Sequence, residues 1–271
     1  MLNDLNAYYN AVTADFAVGP ACKKFMRITA ECLETTYIMM HAALGTDASL
    51  EIGAHEAGFS LKMAKTYGEA IPICALEASP RTHAYFSKKC HYKDFGVNYI
   101  NALVSDCAGD TVFYEHVDES REAAHWISSL LVKDIRGQMS TRRTRVTVKA
   151  IRGDTFVESK FKHKEKISLW IDVEGAQYEV LNSLRKSFER GIINSVYIEV
   201  EQRKFWPKQR MLVSDIIEFM NKYNFSQFLR DNQSMDQYNI VFVNNNIEGC
   251  DFSLYFDYYR MLLLKKSRLL Q

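Results

Sequence analysis

Two glycines separate an apolar run from an amphipathic one in the segment SLEIGAHEAGFS, residues 49–60. Gly53 directly follows the apolar run, and a residue without a Cβ lets a ligand approach the backbone of a turn. Gly58 would let the helix that follows begin close to a sheet. A strand that ends in a glycine turn and opens into a helix is how α/β proteins hold nucleotides. A tight turn without a ligand explains the two glycines equally well, so other residues must decide.

An acidic residue supports the nucleotide interpretation. Glu77 lies 24 positions after Gly53 (77 − 53) and ends a second apolar run, where such proteins hold ribose hydroxyls. NAD and S-adenosylmethionine both contain adenosine. The dinucleotide fingerprint needs a middle glycine, but this chain has His55 and Glu56 there, and a carboxylate repels a pyrophosphate. A cationic sulfonium and its ammonium group suit Glu51 and nearby acids better, so the residues favour S-adenosylmethionine, with NAD as the alternative.

Four acids follow two further apolar runs and could assist methyl transfer. Asp172 ends one run, and Glu174 follows two residues later. Glu199 and Glu201 are two residues apart in IEVE, so both would lie on the same face of a strand. An alcohol is a poor nucleophile near neutral pH, so a base or a metal normally helps to remove its proton. We expect Asp172 to act as this base or to orient the hydroxyl. The alternatives are a helix cap for Asp172 and helix-dipole support for Glu174.

Three of these acids also suit a metal ion. Carboxylate oxygens and water are the ligands that Mg²⁺ prefers, so Asp172, Glu174 and Glu199 together could hold one. The histidines show no metal-ligand spacing, and the chain has no Cys/His zinc pattern. We therefore keep Mg²⁺ as an alternative that we do not favour, and we expect no bound metal.

The elements that must position these residues alternate along the chain. Helices of about a dozen residues separate five predicted strands, which are ASLEIG, IPICALEAS, GVNYINALVS, KISLWIDVEG and INSVYIEVE. This alternation predicts a parallel sheet with helices on both faces. One helix is predicted over residues 176–190 and another over about 210–223. Two last strands, FSQFLR and YNIVFVN, have a short polar connection that is typical of an antiparallel hairpin.

Three segments lie outside this alternation. An insertion at about 104–152 contains two predicted strands, DTVFYEH and TRVTVKAIR, which flank the polar residues 118–144. We interpret it as an elaboration on the substrate side or a surface excursion rather than a second domain. Helices are predicted over residues 4–16 and 20–44, before the first strand. The aromatic tail is predicted to be a helix that docks onto the sheet.

The composition excludes several classes of protein. Thirty-four Lys and Arg against thirty-three Asp and Glu give a net charge of +1, which argues against a nucleic-acid partner. No uncharged apolar run approaches the roughly 18 residues of a membrane span, and the N-terminus does not resemble a signal peptide. Six cysteines without a C-x-x-C pair indicate reduced thiols and a cytoplasmic location.

Several motifs, in this order, resemble those of the FkbM-type S-adenosylmethionine-dependent methyltransferases. They are LEIGAHEAGFSL, ALEASP, NALVSD, HWISSLL, SLWIDVEGAQYEVL and VYIEVE, spread over roughly residues 48–243. The resemblance implies an α/β fold with a Rossmann-like seven-stranded sheet, mostly parallel with its last strand antiparallel. It implies O-methylation of a hydroxyl on a sugar, polyketide or related metabolite. The corresponding division is an N-terminal helical extension at 1–45, a methyltransferase domain at 46–250 and a helical tail at 251–271.

The same resemblance assigns roles to individual residues. Glu77 is expected to hold the ribose hydroxyls, Asn101 to lie near the adenine, and Glu51 to reach the ammonium group. The other expected cofactor contacts lie in the same segments and are Gly53, Ala54, His55, Gly58, Ala78, Ala102 and Asp172. The expected catalytic residues are Asp172, Glu174 and His125, and the expected substrate contacts are Ser128, Ser129 and Glu199.

Three residues depart from the usual pattern of the family. Glu51 stands where Asp is commoner, Trp170 replaces a frequent Lys, and Gln177 replaces a frequent Glu. The last two changes are expected near the reaction site, so they bear on the substrate more than on the cofactor. A catalytically degenerate binding module is therefore a further alternative. The expected partner is a small-molecule or glycan acceptor, with a homodimer as a second expectation.

Overall fold

The computed structural model describes residues 21–117, 128–131, 142–232 and 236–267. The strands in these ranges are β1 (Ala48–Ile52), β2 (Ile73–Glu77), β3 (Val97–Asn101), β4 (Leu103–Val104), β5 (Gly109–Val117), β6 (Arg142–Ile151), β7 (Ile167–Ile171), β8 (Ile193–Glu201), β9 (Phe225–Arg230) and β10 (Gln237–Asn244). The α-helices are α1 (Ala21–Met40), α2 (Gly58–Tyr67), α3 (Pro80–Lys89), α4 (Gly153–Lys160), α5 (Gln177–Ser183), α6 (Arg185–Glu189), α7 (Val213–Lys222) and α8 (Phe252–Ser267).

Seven strands form the central sheet, in the order β3-β2-β1-β7-β8-β10-β9. All neighbours pair in parallel except β10, which is antiparallel to both β8 and β9. The residues of β1, β2 and β8 are buried throughout, as expected for strands that helices cover on both faces. The predicted fold, a mostly parallel seven-stranded sheet whose last strand is antiparallel, is confirmed.

A second, smaller sheet holds the strands of the insertion. β5 and β6 pair antiparallel over their whole length, and β4 adds to β6 in parallel. The single strand predicted over GVNYINALVS is therefore wrong, because the chain leaves the main sheet after β3. The backbone N–H of Ala102 donates to the Glu77 carbonyl at this point, and β4 then joins the small sheet.

Two features of the helices differ from the expectation. The helix α4 was not expected, and the predicted helix over 176–190 is divided into α5 and α6 at Leu184. The buried Asp154 of α4 explains the division. Its carboxylate accepts hydrogen bonds from the backbone N–H groups of Lys186, at 3.2 Å, and Ser187, at 2.8 Å. Such bonds cap the first turn of a separate helix.

Helix α1 covers one face of the sheet. Its Tyr37 is fully buried, and the hydroxyl donates to the Leu169 carbonyl at 3.0 Å. On the same face Trp170 stacks on Tyr197, with ring centroids 3.6 Å apart. Helix α8 packs against α1. None of the described helices is both long and apolar enough to cross a membrane, and the helix predicted at 4–16 lies outside the described residues.

Gly53 lies where β1 and β7 end side by side. Its φ is +82°, and a Cβ at this position would lie 1.7 Å from the backbone carbonyl oxygen of Asp172. The glycine is therefore required by the neighbouring strand. Gly58 is different, since a Cβ there would meet only a side-chain oxygen of Glu56, at 3.9 Å. The expectation that Gly58 lets the helix approach the sheet is wrong.

We expect Gly53→Ala to lower the free energy of unfolding by about 2 kcal/mol or more, because the added Cβ must displace the end of β7. The matched control Gly58→Ala should stay within about 1 kcal/mol of the wild type. Urea unfolding followed by circular dichroism measures both. Equal stability of the two variants would contradict the close approach of the strands.

Candidate active site

A cavity of about 580 Å³, counting its open mouth, lies at the carboxyl ends of β1, β2 and β7. The small sheet closes one side of it through residues such as Leu103 and Phe113. Eight of the residues that the sequence predicted to be functional line the cavity, namely Gly53, His55, Glu77, Ala78, Ala102, Ser128, Asp172 and Glu174.

Other predicted site residues do not line this cavity. They belong to the same segments but point elsewhere or lie deeper, and they are Glu51, Ala54, Gly58, Asn101, Ser129 and Glu199. His125 lies outside the described residues. The side-chain amide of Asn101 donates to the backbone carbonyls of Glu77, at 2.8 Å, and Ala78, at 3.2 Å. Asn101 therefore holds the β2 end against the β3 end.

Glu77 organises the turn after β1. One carboxylate oxygen accepts from the backbone N–H of His55 at 2.7 Å, and the other accepts from that of Ser79 at 2.6 Å. Burial raises the pKa of Glu77 to about 7. His55 and Ala57 both have positive φ, +45° and +54°, which is unusual for residues other than glycine. The Glu77 carboxylate and the Tyr99 hydroxyl, which donates to the His55 carbonyl, stabilise this turn.

Glu115 was missed by the sequence analysis. It lies on β5, is buried, and accepts hydrogen bonds from the hydroxyl of Ser79 and, at 3.3 Å, from the backbone N–H of Arg81. These bonds join the small sheet to the first turn of α3. The alternation in DTVFYEH contained the signal, because Glu115 shares the strand face of the apolar Phe113.

Three carboxylates meet on the other side of the cavity. Asp172, Glu174 and Glu199 each offer one oxygen, and these oxygens lie within 4.8 Å of one another. Burial raises the pKa of Asp172, and a hydrogen bond with Glu199 opposes the shift. Burial and the neighbouring carboxylates, Asp172 first among them, raise the pKa of Glu199. Such a cluster can share a proton, accept one from a substrate, or hold a divalent cation.

The serines of the HWISSLL motif tie this acidic turn to the small sheet. The Ser129 hydroxyl donates to the Glu174 carbonyl at 2.7 Å, and the Ser129 backbone pairs with Tyr114 of β5. The Ser128 hydroxyl accepts from the backbone N–H of His116 at 3.0 Å. The motif thus fixes one wall of the cavity relative to Glu174, which itself has a positive φ of +49°.

Two of the three departures from the family pattern, Trp170 and Gln177, have different surroundings. Trp170 stacks on Tyr197 and on Phe59 beneath α1, and it does not line the cavity. Gln177 is fully buried, and its amide donates to the Glu199 carbonyl and to the Glu201 carboxylate, both at 3.1 Å.

Glu51 lies beneath the first turn of α2. Its carboxylate accepts from the backbone N–H of Ser60 at 2.9 Å, and burial raises its pKa to about 8. An acid at this end of a helix is stabilised by the helix dipole when it is ionised. In the described structure Glu51 therefore fixes the helix α2 that follows the glycine turn.

We expect the raised pKa of Glu51 to make the protein less stable as the pH rises. A carboxyl that binds its proton more tightly in the folded state adds stability below its ordinary pKa of 4.5, and this stability is lost as the pH rises through about 8. In Glu51→Gln the free energy of unfolding should fall less between pH 5 and pH 8. Urea unfolding at several pH values measures the slopes, with the exposed Glu56→Gln as control. Equal slopes in wild type and Glu51→Gln would contradict a protonated, buried Glu51.

The chain is similar, at low sequence identity, to several solved structures. The magnesium protoporphyrin IX methyltransferase ChlM from Synechocystis PCC 6803, with bound SAM, is 8% identical with a TM-score of 0.44, over 90% of this chain and 96% of that chain. A SAM dependent methyltransferase from Aquifex aeolicus is 9% identical with a TM-score of 0.37, over 73% of this chain and 82% of that chain.

WbdD in complex with the kinase inhibitor LY294002 is 11% identical with a TM-score of 0.42, over 90% of this chain and 48% of that chain. The chain thus spans about half the length of WbdD. No curated protein matches the chain. The family model for the methyltransferase FkbM domain matches residues 51–226, which is more than half of the 271 residues. On this match, the chain belongs to the FkbM methyltransferase family.

Proposed function

We propose that the protein transfers a methyl group from S-adenosylmethionine to a hydroxyl of a small-molecule or glycan acceptor. One observation carries the proposal. A single cavity has Glu77 on one side and Asp172 with Glu174 on the other, at the carboxyl edge where open α/β sheets bind ligands. Sugars, polyketides and related metabolites are the acceptors that the family resemblance suggests.

The residues present fit S-adenosylmethionine better than a dinucleotide. Glu77 has carboxylate oxygens at the cavity wall, where they can also accept hydrogen bonds from ribose hydroxyls. Ala102 would hold the adenine, and the backbone of Gly53 and His55 would contact the methionine part. The carboxylates of Asp172 and Glu174 make the cavity suitable for a cation and repel a pyrophosphate. When bound, the cofactor would supply a methyl group on a positively charged sulfur.

Asp172 is our candidate for the general base. It is half-buried at the cavity wall, and its raised pKa brings the carboxylate closer to neutral pH, where a base accepts protons most effectively. The proton of the acceptor hydroxyl would move to a carboxylate oxygen of Asp172 as the oxygen attacks the methyl carbon. Glu174 in the same turn can orient the hydroxyl. Positioning of the two reactants can contribute roughly 7–11 kcal/mol to the acceleration.

We expect S-adenosylhomocysteine to bind more tightly than NAD in isothermal calorimetry. Glu77→Gln should weaken its binding at least about tenfold, since one amide N–H₂ would face the backbone N–H of His55 or Ser79. The exposed Glu56→Gln, in the same turn, should bind as the wild type does. Tighter binding of NAD would favour a dehydrogenase, and binding of neither ligand would favour a binding module.

We expect Asp172→Asn to lower turnover by roughly 10²–10⁴-fold if Asp172 is the base, because the amide keeps the shape but cannot accept the proton. The affinity for S-adenosylhomocysteine should change little. Turnover is measured by product mass over hydroxylated sugars, glycolipids and polyketides, with the exposed Asp110→Asn of β5 as control. Wild-type turnover in Asp172→Asn would exclude this base.

The same assay separates the base from a metal ion. EDTA should leave turnover unchanged if Asp172 acts directly as the base. Loss of activity in EDTA that Mg²⁺ restores would instead assign Asp172, Glu174 and Glu199 to a cation.

A further inference from the structure

We propose that the loop between β8 and α7, residues 202–212, is the acceptor-binding wall of the site. Its lysines would select an acceptor that carries an anionic group, either a phosphate or a carboxylate. The inference rests on the proposed function, because it needs a hydroxyl to be methylated beside Asp172. The loop begins directly after Glu201, at the carboxyl edge of the sheet where the cavity lies.

Trp206 anchors the loop beside the acidic turn. Its side chain is fully buried, and its ring lies 2.5 Å from the point where a Cβ of Gly175 would be. Gly175 has a φ of +87° and directly follows Glu174, which lines the cavity. A larger residue than glycine would push the loop away, so the bare backbone at 175 lets the loop pass directly against the site.

Gln209 is the second anchor. It is buried, and its amide N–H₂ donates to the Glu201 carboxylate at 2.9 Å and to the Met211 carbonyl at 3.1 Å. Its amide oxygen accepts from the backbone N–H of Phe205 at 3.2 Å. The other oxygen of Glu201 accepts from the Gln177 amide at 3.1 Å. Two glutamines therefore hold the fully buried Glu201 from both sides, and one of them belongs to the loop.

The exposed part of this anchored loop is cationic. Residues 202–212 contain four cations and no acid. Arg203 pairs with Asp236 at 2.8 Å. Arg210 lies 3.6 Å from Glu179 and 3.7 Å from Asp106, so acids already neutralise both arginines.

Lys204 and Lys208 are the remaining cations. Both are exposed, and neither has an ion-pair partner within the ranges that the structure describes. Each stands two residues from Trp206, so its Cα lies at most about 7 Å from that of the anchor. Two exposed lysines without an ion-pair partner therefore flank Trp206, whose ring lies against the turn that carries Glu174.

The charges inside and outside the cavity differ in sign. The carboxylates of Asp172, Glu174 and Glu199 would repel an anion that entered the cavity. Lysines attract phosphates and carboxylates as point charges. An acceptor that satisfies both conditions has a neutral hydroxylated part inside and an anionic part at the rim. This geometry excludes a small acceptor whose anionic group is adjacent to the methylated hydroxyl.

The test uses inorganic pyrophosphate and citrate as phosphate and carboxylate probes on the full chain saturated with S-adenosylhomocysteine. We expect one of the two to bind in calorimetry at low salt, and the double variant Lys204→Gln/Lys208→Gln to weaken that binding at least about tenfold. The better probe identifies the anionic group. The matched control Lys88→Gln/Lys89→Gln removes the same charge at the last turn of α3 and should bind as the wild type does.

Two outcomes would overturn the proposal. They are the absence of binding by both probes, and equal binding by the two double variants. If S-adenosylhomocysteine still binds in those cases, the proposed function stands. If the wild-type protein does not bind S-adenosylhomocysteine, the proposed function is refuted. In the turnover assay, the loop variant should raise KM for an anionic acceptor at least about tenfold and leave kcat unchanged. An unchanged KM would also contradict the inference.

Discussion

The contact between the ends of β1 and β7 determines where everything else in the site can lie. The backbone carbonyl of Asp172 occupies the space of a Cβ at Gly53, so the two strands end side by side without a side chain between them. The turn after β1 and the turn after β7 consequently open onto one cavity. Glu77 comes from β2, the strand next to β1, and Glu174 comes from the turn after β7 itself. A chain that separated the two strand ends by one side chain would separate the two halves of the site.

Most acids around the cavity also have a structural task. The carboxylate of Glu77 holds the turn after β1, that of Glu51 holds the first turn of α2, and that of Glu201 is fixed by two glutamines. Backbone N–H groups and amides, rather than cations, satisfy these three carboxylates in the contacts described above. Burial keeps the pKa of Glu77 and of Glu51 raised in spite of these bonds. Substitution at any of the three positions removes a contact that holds the fold, so stability must be measured alongside ligand affinity.

The sequence predicted those parts of the molecule that local pattern determines. The strand β8, for example, was predicted with its observed bounds. The division between α5 and α6 depends on Asp154, which is distant in sequence, and no local pattern contains that contact. The surroundings of Gly53 and Trp170 also depend on residues that are distant in sequence. A glycine pattern does not show whether a ligand or a neighbouring strand needs the space, and a motif position does not show whether a side chain lines the cavity.

The same distinction explains why the cofactor side of the site is easier to infer than the acceptor side. In our proposal the cofactor lies against strand ends, whose meeting point follows from the parallel sheet itself. The acceptor would lie against the small sheet, the segment around Ser129 and the loop around Trp206. Only the small sheet has a periodic pattern, and the position of all three depends on a few contacts of single residues, such as the missing Cβ at Gly175. Substitutions in these three segments can therefore change the acceptor preference while the central sheet and its cavity stay the same. The acceptor must consequently be inferred from the charges and contacts of these three segments.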